Sequence, residues 1–334
     1  MSDCIEFPAP ILILGIMPRS GTNFLHQLIC LHPGCVSSVL WEDFFLHPAP
    51  LLEAYAHAVY SEWIPLTREK LEPVIKSPID SLLHHLGNGL LSFLYTQNSK
   101  SQRLVAKTPW VRNLSYVFRL FPNAQILLLV RDGRSVVESG VTSFYWDETS
   151  AMHQWAQAAQ EILQFQQDYS HLSDQYLVLK YEDLYLNTVE AMTKILNFLN
   201  LDLQHYDFSK ALDTPVIGSS DLRREQGQYK IHWQPVEKTG EFQPLNRWEN
   251  WSDAKHSLFN KIAGQQMLKL GYTLQETLME ETEPKMNFST DFVDNKNGSH
   301  QHRKNLNDHD KIVKQILEKY QAVLDNSTQD NFYY

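Results

Sequence analysis

Residues 15–25 read Gly-Ile-Met-Pro-Arg-Ser-Gly-Thr-Asn-Phe-Leu, directly after the apolar run Ile11 to Leu14 and directly before a stretch of helical period. A loop that feeds a helix N-terminus aims unpaired backbone N–H groups at one spot, and the chemistry this suits is anion binding. Gly21 lets the backbone come close to a ligand, Ser20, Thr22 and Asn23 supply side-chain donors, and Arg19 supplies charge. A capped strand-to-helix turn alone would explain the serine and glycine but not the Arg-Ser-Gly-Thr-Asn string. No lysine precedes Thr22, and five residues separate Gly15 from Gly21, so the loop departs from the Walker A pattern of nucleoside-triphosphate sites.

A second constellation closes a later apolar run. Leu127-Leu128-Leu129-Val130 leads into Arg131-Asp132-Gly133-Arg134, and Ser139 stands eight residues after Arg131. Arg131 leaves a strand end and Ser139 lies on the following helix. Both can therefore reach a phosphate in the crevice beyond the strand C-termini, where open α/β sheets bind ligands.

In this order, each after a strand, the two motifs resemble the 5′-phosphosulfate loop and the 3′-phosphate motif of sulfotransferases that use 3′-phosphoadenosine 5′-phosphosulfate (PAPS). Val105-Ala106-Lys107-Thr108-Pro109, Tyr181-Glu182-Asp183-Leu184 and Asn246-Arg247-Trp248 are similar to further segments of that family and spread the likeness from Ile11 to Tyr272. The branch most alike contains protein-tyrosine and many bacterial sulfotransferases. The chain departs from it at Ser143, where that branch often carries another arginine. The resemblance implies PAPS as donor, 3′-phosphoadenosine 5′-phosphate (PAP) as product, and no metal. It implies donor binding by Arg19, Ser20, Gly21, Thr22, Asn23, Phe24, Arg131 and Ser139, with Lys238 and Arg247 of a late loop as further contacts. It also implies that Arg19 and Lys107 stabilise the sulfuryl group and leaving phosphate, and that Glu42 takes the acceptor's proton. Trp41, Phe44 and Phe45 could supply the desolvated setting such a base needs, and Asp43, His47 and His84 stay as alternatives.

The activity expected from the resemblance is sulfuryl transfer to a hydroxyl or amine of a small-molecule acceptor. A cationic natural product is compatible with the chain's acidic balance. A protein-tyrosine acceptor, a P-loop nucleotide kinase and a non-catalytic nucleotide-binding module are the alternatives.

These residues need strands that end at one edge. Ile11 to Leu14, Leu104 to Ala106, Ile126 to Val130 and Tyr176 to Leu179 are short apolar runs bounded by polar or turn residues, as in strands buried on both faces. Helical periods cover Thr22 to Leu31, Leu51 to Ser61, Asp80 to Thr96, Val111 to Phe121, Ser135 to Phe144, Met152 to Tyr169, Val189 to Leu199 and Ala254 to Leu270. The alternation predicts an α/β fold: a central parallel sheet flanked by helices, with a P-loop-like strand-loop-helix at the N-terminus. Leu212 to Trp251 lacks a regular period and is long for a connection. The expected layout is a sulfotransferase domain over 1–274, a polar linker over 275–310 and an amphipathic C-terminal helix over 311–325.

Composition narrows the partners. Asp and Glu number 39 against 29 Lys and Arg, a formal charge of -10 that repels polyanions and argues against nucleic acid or an anionic membrane surface. The three cysteines have no CxxC spacing and the histidines no ligand spacing, so neither a disulfide framework nor a zinc site is expected. Ala9 to Met17 is too short to span a bilayer and lacks the basic flank of a signal peptide, which makes a cytoplasmic setting the expectation.

Overall fold

The structure is a computed structural model, and it describes residues 8–63, 70, 75, 77–96, 98, 101–217, 222–225, 228–231, 235–236, 244–276 and 314–318. Strand β1 (Ile11–Gly15) is buried at every position, and β3 (Arg103–Thr108) and β4 (Gln125–Val130) are buried at all but their first. Runs this apolar have no wet face, so they pair in parallel with helices above and below. With β2 (Cys35–Ser37) and β5 (Tyr176–Lys180) they form a five-stranded parallel sheet in the order β2-β3-β1-β4-β5. The chain leaves β1 for one edge and returns to build the other, so the C-terminal end of β1 is the switch point where a crevice opens.

Helix α1 (Thr22–Ile29) lays Phe24, Leu25, Leu28 and Ile29 on the sheet face formed by Ile11, Ile13, Val105, Leu127 and Leu129. The same cluster holds Met192, Ile195 and Leu196, the buried stripe of the later helix Thr188–Phe198. Between these lie α2 (Ala49–Glu62), α3 (Pro78–Leu94), the short α4 (Val117–Leu120), α5 (Gly133–Phe144), α6 (Glu148–Asp168) and α7 (Tyr181–Leu186), so Thr188–Phe198 is α8. After α8 come α9 (Phe208–Asp213) and α10 (Asp253–Lys269). Helix α6 packs on α5 and α10, with the Trp155 and Phe259 rings 6.1 Å apart between them. No helix among the described residues is long and apolar enough to cross a membrane.

The N-terminal edge of the sheet is stapled by one side chain. Arg103 donates through Nε to the Ala9 carbonyl at 2.8 Å, through Nη2 to Gln125 Oε1 at 2.7 Å and through Nη1 to the Leu199 carbonyl. Gln125 Nε2 in turn donates to the Phe198 carbonyl at 2.8 Å. This end is committed to stability, which leaves the opposite end to bind.

The chain divides into two compact units, Met1–Ala49 with Leu83–Leu274, and Pro50–Leu82 with Gln275–Tyr334. The first contains the sheet and both anion-loop motifs, and Lys238 lies outside the described residues. The second contains most of α2, the first residues of α3, and a helical turn at 314–318 carrying a Lys314–Glu318 ion pair. The rest of the expected linker and terminal helix lies outside the described residues.

Several elements differ from expectation. Val111 to Phe121 is not one helix: Val111 N–H is drawn to the Gly15 carbonyl, Asn113 is left-handed at φ 56, and a 3-10 turn at Leu114–Tyr116 precedes α4. The tie to the neighbouring strand and the left-handed residue prevent an earlier start. Strand β2, only three residues long, has no readable period. In the stretch after Leu212, β6 (Val216–Ile217) pairs antiparallel with β9 (Pro235–Val236), and β7 (Leu222–Glu225) with β8 (Gln228–Ile231).

Replacing Arg103 by Ala removes the staple while leaving the opposite edge untouched. The unfolding free energy in urea is expected to fall by about 3 kcal/mol.

Candidate functional site

The first loop turns tightly at the end of β1. Ser20 N–H bonds the Met17 carbonyl at 3.1 Å, and Gly21, the N-cap of α1, sits at φ 96, a left-handed conformation natural to glycine. A Cβ at Gly21 would lie 2.3 Å from the Tyr181 ring, so only glycine fits there. A Cβ at Gly15 would lie 2.4 Å from Ser20 Oγ, so this position also needs glycine. Ser20 Oγ is buried without a hydrogen-bond partner, a hydroxyl that could serve a ligand oxygen.

The second motif meets the first directly. Arg19 Nε donates to Ser139 Oγ at 3.0 Å, and Arg131 Nη1 donates to the Arg19 carbonyl. Arg131 Nη2 is held by the Pro244 carbonyl, its guanidinium lies 4.8 Å from the Tyr181 ring centroid, and its Nε is buried without a partner. Trp155 Nε1 donates to the Arg131 carbonyl and fixes the strand end from below. Burial, followed by the charges of Arg131 and Arg247, pulls the Arg19 pKa down to about 9. Buried like charges held together are destabilising unless an anion compensates them, so this cluster fits a phosphate-bearing ligand. Ser135 and Ser143 on α5 also carry buried hydroxyls without partners.

The third part lies at the end of β3, beside β1. Lys107 is 2% exposed, and its Nζ stands 3.3 Å from Glu42 Oε1 and 4.5 Å from the Trp41 ring centroid. Burial lowers the Lys107 pKa, against the opposing charges of Glu42 and Asp43, which makes this ammonium a readier proton donor than an ordinary lysine. Behind it, burial and the Lys107 charge lower the His26 pKa to about 4. Asp43 faces elsewhere: its Oδ1 accepts from Thr108 Oγ1 at 2.9 Å and from Phe45 N–H at 3.1 Å.

The structure thus brings together Arg19, Ser20, Gly21, Arg131, Ser139 and Arg247 on one side, and Lys107 with Glu42 on the other. Thr22 and Asn23 open α1 beside them. Phe24 does not join: its side chain is fully buried in the core, edge-on to Tyr181, and only its backbone serves the loop. His47 is occupied by the Trp110 carbonyl at 3.2 Å, so its Nε2 carries the hydrogen, and burial brings its pKa down to about 4. His84 stands on α3, ring to ring with His85.

Several supporting residues escaped the sequence reading. Glu182 accepts from Asp132 N–H and from the Tyr272 hydroxyl, both at 2.9 Å, and so ties the Arg131 turn to the chain after α10. Arg134 clasps Asp132 at 3.0 and 2.6 Å and lies 3.7 Å from the Trp248 ring centroid, which anchors the segment carrying Arg247. The Tyr181-Glu182 string and the Arg-Asp-Gly-Arg turn were visible as motifs, but their partners are remote in sequence.

A family model described as "Sulfotransferase family" matches residues 10–205. The protein-tyrosine sulfotransferase of Drosophila melanogaster is 29% identical over 212 residues, covering 60% of this chain and 40% of that protein. Protein-tyrosine sulfotransferase 1 of Homo sapiens is 30% identical over 138 residues, covering 40% of this chain and 34% of that protein. The chain therefore spans about a third to two fifths of the length of these relatives. Among solved structures, the sulfotransferase domain from the Synechococcus PCC 7002 olefin synthase aligns at 24% identity and a TM-score of 0.42, covering 64% of this chain and 80% of that one.

Arg131→Ala and Ser139→Ala are each expected to weaken PAP binding by about 1–3 kcal/mol in calorimetry, and unchanged affinity in both would dissociate this cluster from a phosphate. The buried His47 gives a separate check. It stays neutral in the folded chain down to about pH 4, whereas the unfolded chain protonates it below about 6.5, so its contribution to stability is lost as pH falls through that window. His47→Gln should flatten the acid limb of stability against pH by about one proton, measured by urea unfolding at successive pH values.

Proposed function

Because this chain belongs to the sulfotransferase family, we propose that it transfers the sulfuryl group of PAPS to a hydroxyl or amine of a small-molecule acceptor. The observation that carries this reading is the Arg19 to Ser139 hydrogen bond, which joins the two phosphate-binding motifs into one buried cationic cluster. The orphaned donors of that cluster, Ser20 Oγ and Arg131 Nε, fit a ligand with phosphate at two positions.

PAPS supplies an activated sulfuryl group on a phosphate leaving group. In this reading Ser20, Gly21, Thr22 and Asn23 hold the 5′ end through the helix N-terminus, and Arg131, Ser139 and Arg247 hold the 3′-phosphate. Lys238 belongs to the same set by its motif. Negative charge grows on the leaving oxygen as the bond breaks, and Arg19 and Lys107 are the cations that stabilise it. The lowered pKa of Lys107 suits a proton donor to that oxygen. Glu42, paired with Lys107 across 3.3 Å, accepts the proton of the attacking hydroxyl or amine. Cys30 and Cys35 are both free, in keeping with the cytoplasmic setting we assign.

A protein-tyrosine acceptor is the second reading, supported by the names of the relatives. A panel containing a small phenol, a tyrosine peptide, an aliphatic alcohol, an amine and a guanidinium-bearing alcohol distinguishes the two, with sulfated product read by mass spectrometry. Thermal stabilisation by PAP over ATP separates the sulfotransferase from a nucleotide kinase, since the preferred ligand stabilises by mass action.

Glu42→Gln keeps the shape and removes the proton acceptor. Turnover at saturating PAPS should fall by about 100-fold or more while PAP affinity holds. Full activity in that variant would remove Glu42 from the chemistry.

A further inference from the structure

The segment that carries Glu42 is held at the end of β3, by the Lys107 backbone and by Thr108. Asp43 N–H donates to the Lys107 carbonyl at 3.2 Å, and Phe44 N–H donates to Thr108 Oγ1 at 3.2 Å. Thr108 Oγ1 passes its own hydrogen to Asp43 Oδ1 at 2.9 Å, and the same oxygen accepts from Phe45 N–H at 3.1 Å. Thr108 is fully buried and stands next in sequence to Lys107. Phe44 is left-handed at φ 52, a conformation costly for a phenylalanine, and its own amide hydrogen bond helps to keep it there.

We propose that Asp43 and Thr108 form a positioning clamp that sets Glu42 against Lys107. The inference rests on the sulfotransferase reading and deepens it. Glu42 sits at the N-terminal side of the clamp and Lys107 at the strand end that anchors it, so one network fixes both members of the 3.3 Å pair. A base displaced by an ångström loses much of its reach, whereas the donor cluster, built on β1, β4 and α5, is untouched. Asp43 acts here as a hydrogen-bond acceptor rather than as a base.

The variants separate these roles. Thr108→Val keeps the shape of the buried side chain and deletes the hydroxyl, whereas Thr108→Ser keeps the hydroxyl. Asp43→Ala deletes the acceptor oxygen, and Asp43→Asn keeps it while removing the charge. With saturating PAPS and the panel acceptor that the wild type sulfates fastest, Thr108→Val and Asp43→Ala should each lower kcat by about 10-fold or more. Their PAP affinity should stay at the wild-type value. Thr108→Ser and Asp43→Asn should stay within about threefold, and the Val/Ala double variant should be no worse than the poorer single, because the pair acts as a unit. Amide hydrogen exchange at Phe44 and Phe45 should quicken in the Val and Ala variants alone. Unchanged kcat and exchange in those variants would overturn the clamp. A loss in Asp43→Asn as deep as that in Glu42→Gln would overturn it too, by making Asp43 a proton acceptor. Weakened PAP binding in Thr108→Val would reduce the effect to general misfolding. A wild type that neither binds PAP nor sulfates any panel member defeats the functional reading itself, while amide exchange still decides whether the clamp exists.

Discussion

Guanidinium groups taken out of water are costly and repel one another, and holding Arg19 beside Arg131 and Arg247 is the constraint to which the rest of this structure answers. The loss of hydration and then the repulsion lower the Arg19 pKa, and the hydrogen bonds from Arg19 Nε and from Arg131 Nη1 and Nη2 run to neutral oxygen acceptors. Ser139 takes Arg19 Nε, the Arg19 and Pro244 carbonyls take Arg131, and the Tyr181 ring lies beneath. In the proposed reading these contacts hold the guanidinium groups ready for an anion, the arrangement that preorganised electrostatic catalysis requires.

The scaffold follows from that demand. Parallel strands buried on both faces end together, and the reversal of strand order at β1 opens a crevice where loops from β1, β3 and β4 meet. Rigidity comes from below and behind. Arg103 closes the N-terminal edge, Trp155 supports the Arg131 carbonyl, and Glu182 joins the Arg131 turn to Tyr272. Glu182 is itself raised in pKa by burial, in keeping with a carboxyl group taken out of water to organise a backbone amide.

The end of β3 is organised on a different principle. Lys107 is buried beside one carboxylate that it pairs with, Glu42, and one that its own strand end engages through Thr108. Two neighbouring acids thus make separate contacts, Glu42 with Lys107 and Asp43 with Thr108, and adjacency in sequence says nothing of which is which. The Trp41 ring, 58% exposed, lies 4.5 Å from the buried ammonium.

Local chemistry made much of this protein legible from residue order alone. The β1 loop, the Arg131 turn and the strand and helix alternation are written in consecutive residues, because anion loops, strand ends and amphipathic periods depend on neighbours along the chain. The strands of the central sheet were readable apart from β2, whose three residues carry no period. What tertiary structure alone decided is contact between distant segments: that Arg19 bonds Ser139, that Phe24 turns into the core, and that Asp43 faces Thr108 while Glu42 faces Lys107. Those outcomes depend on which side chains the parallel register places side by side at the strand ends, and register is a property of the folded sheet rather than of any one segment.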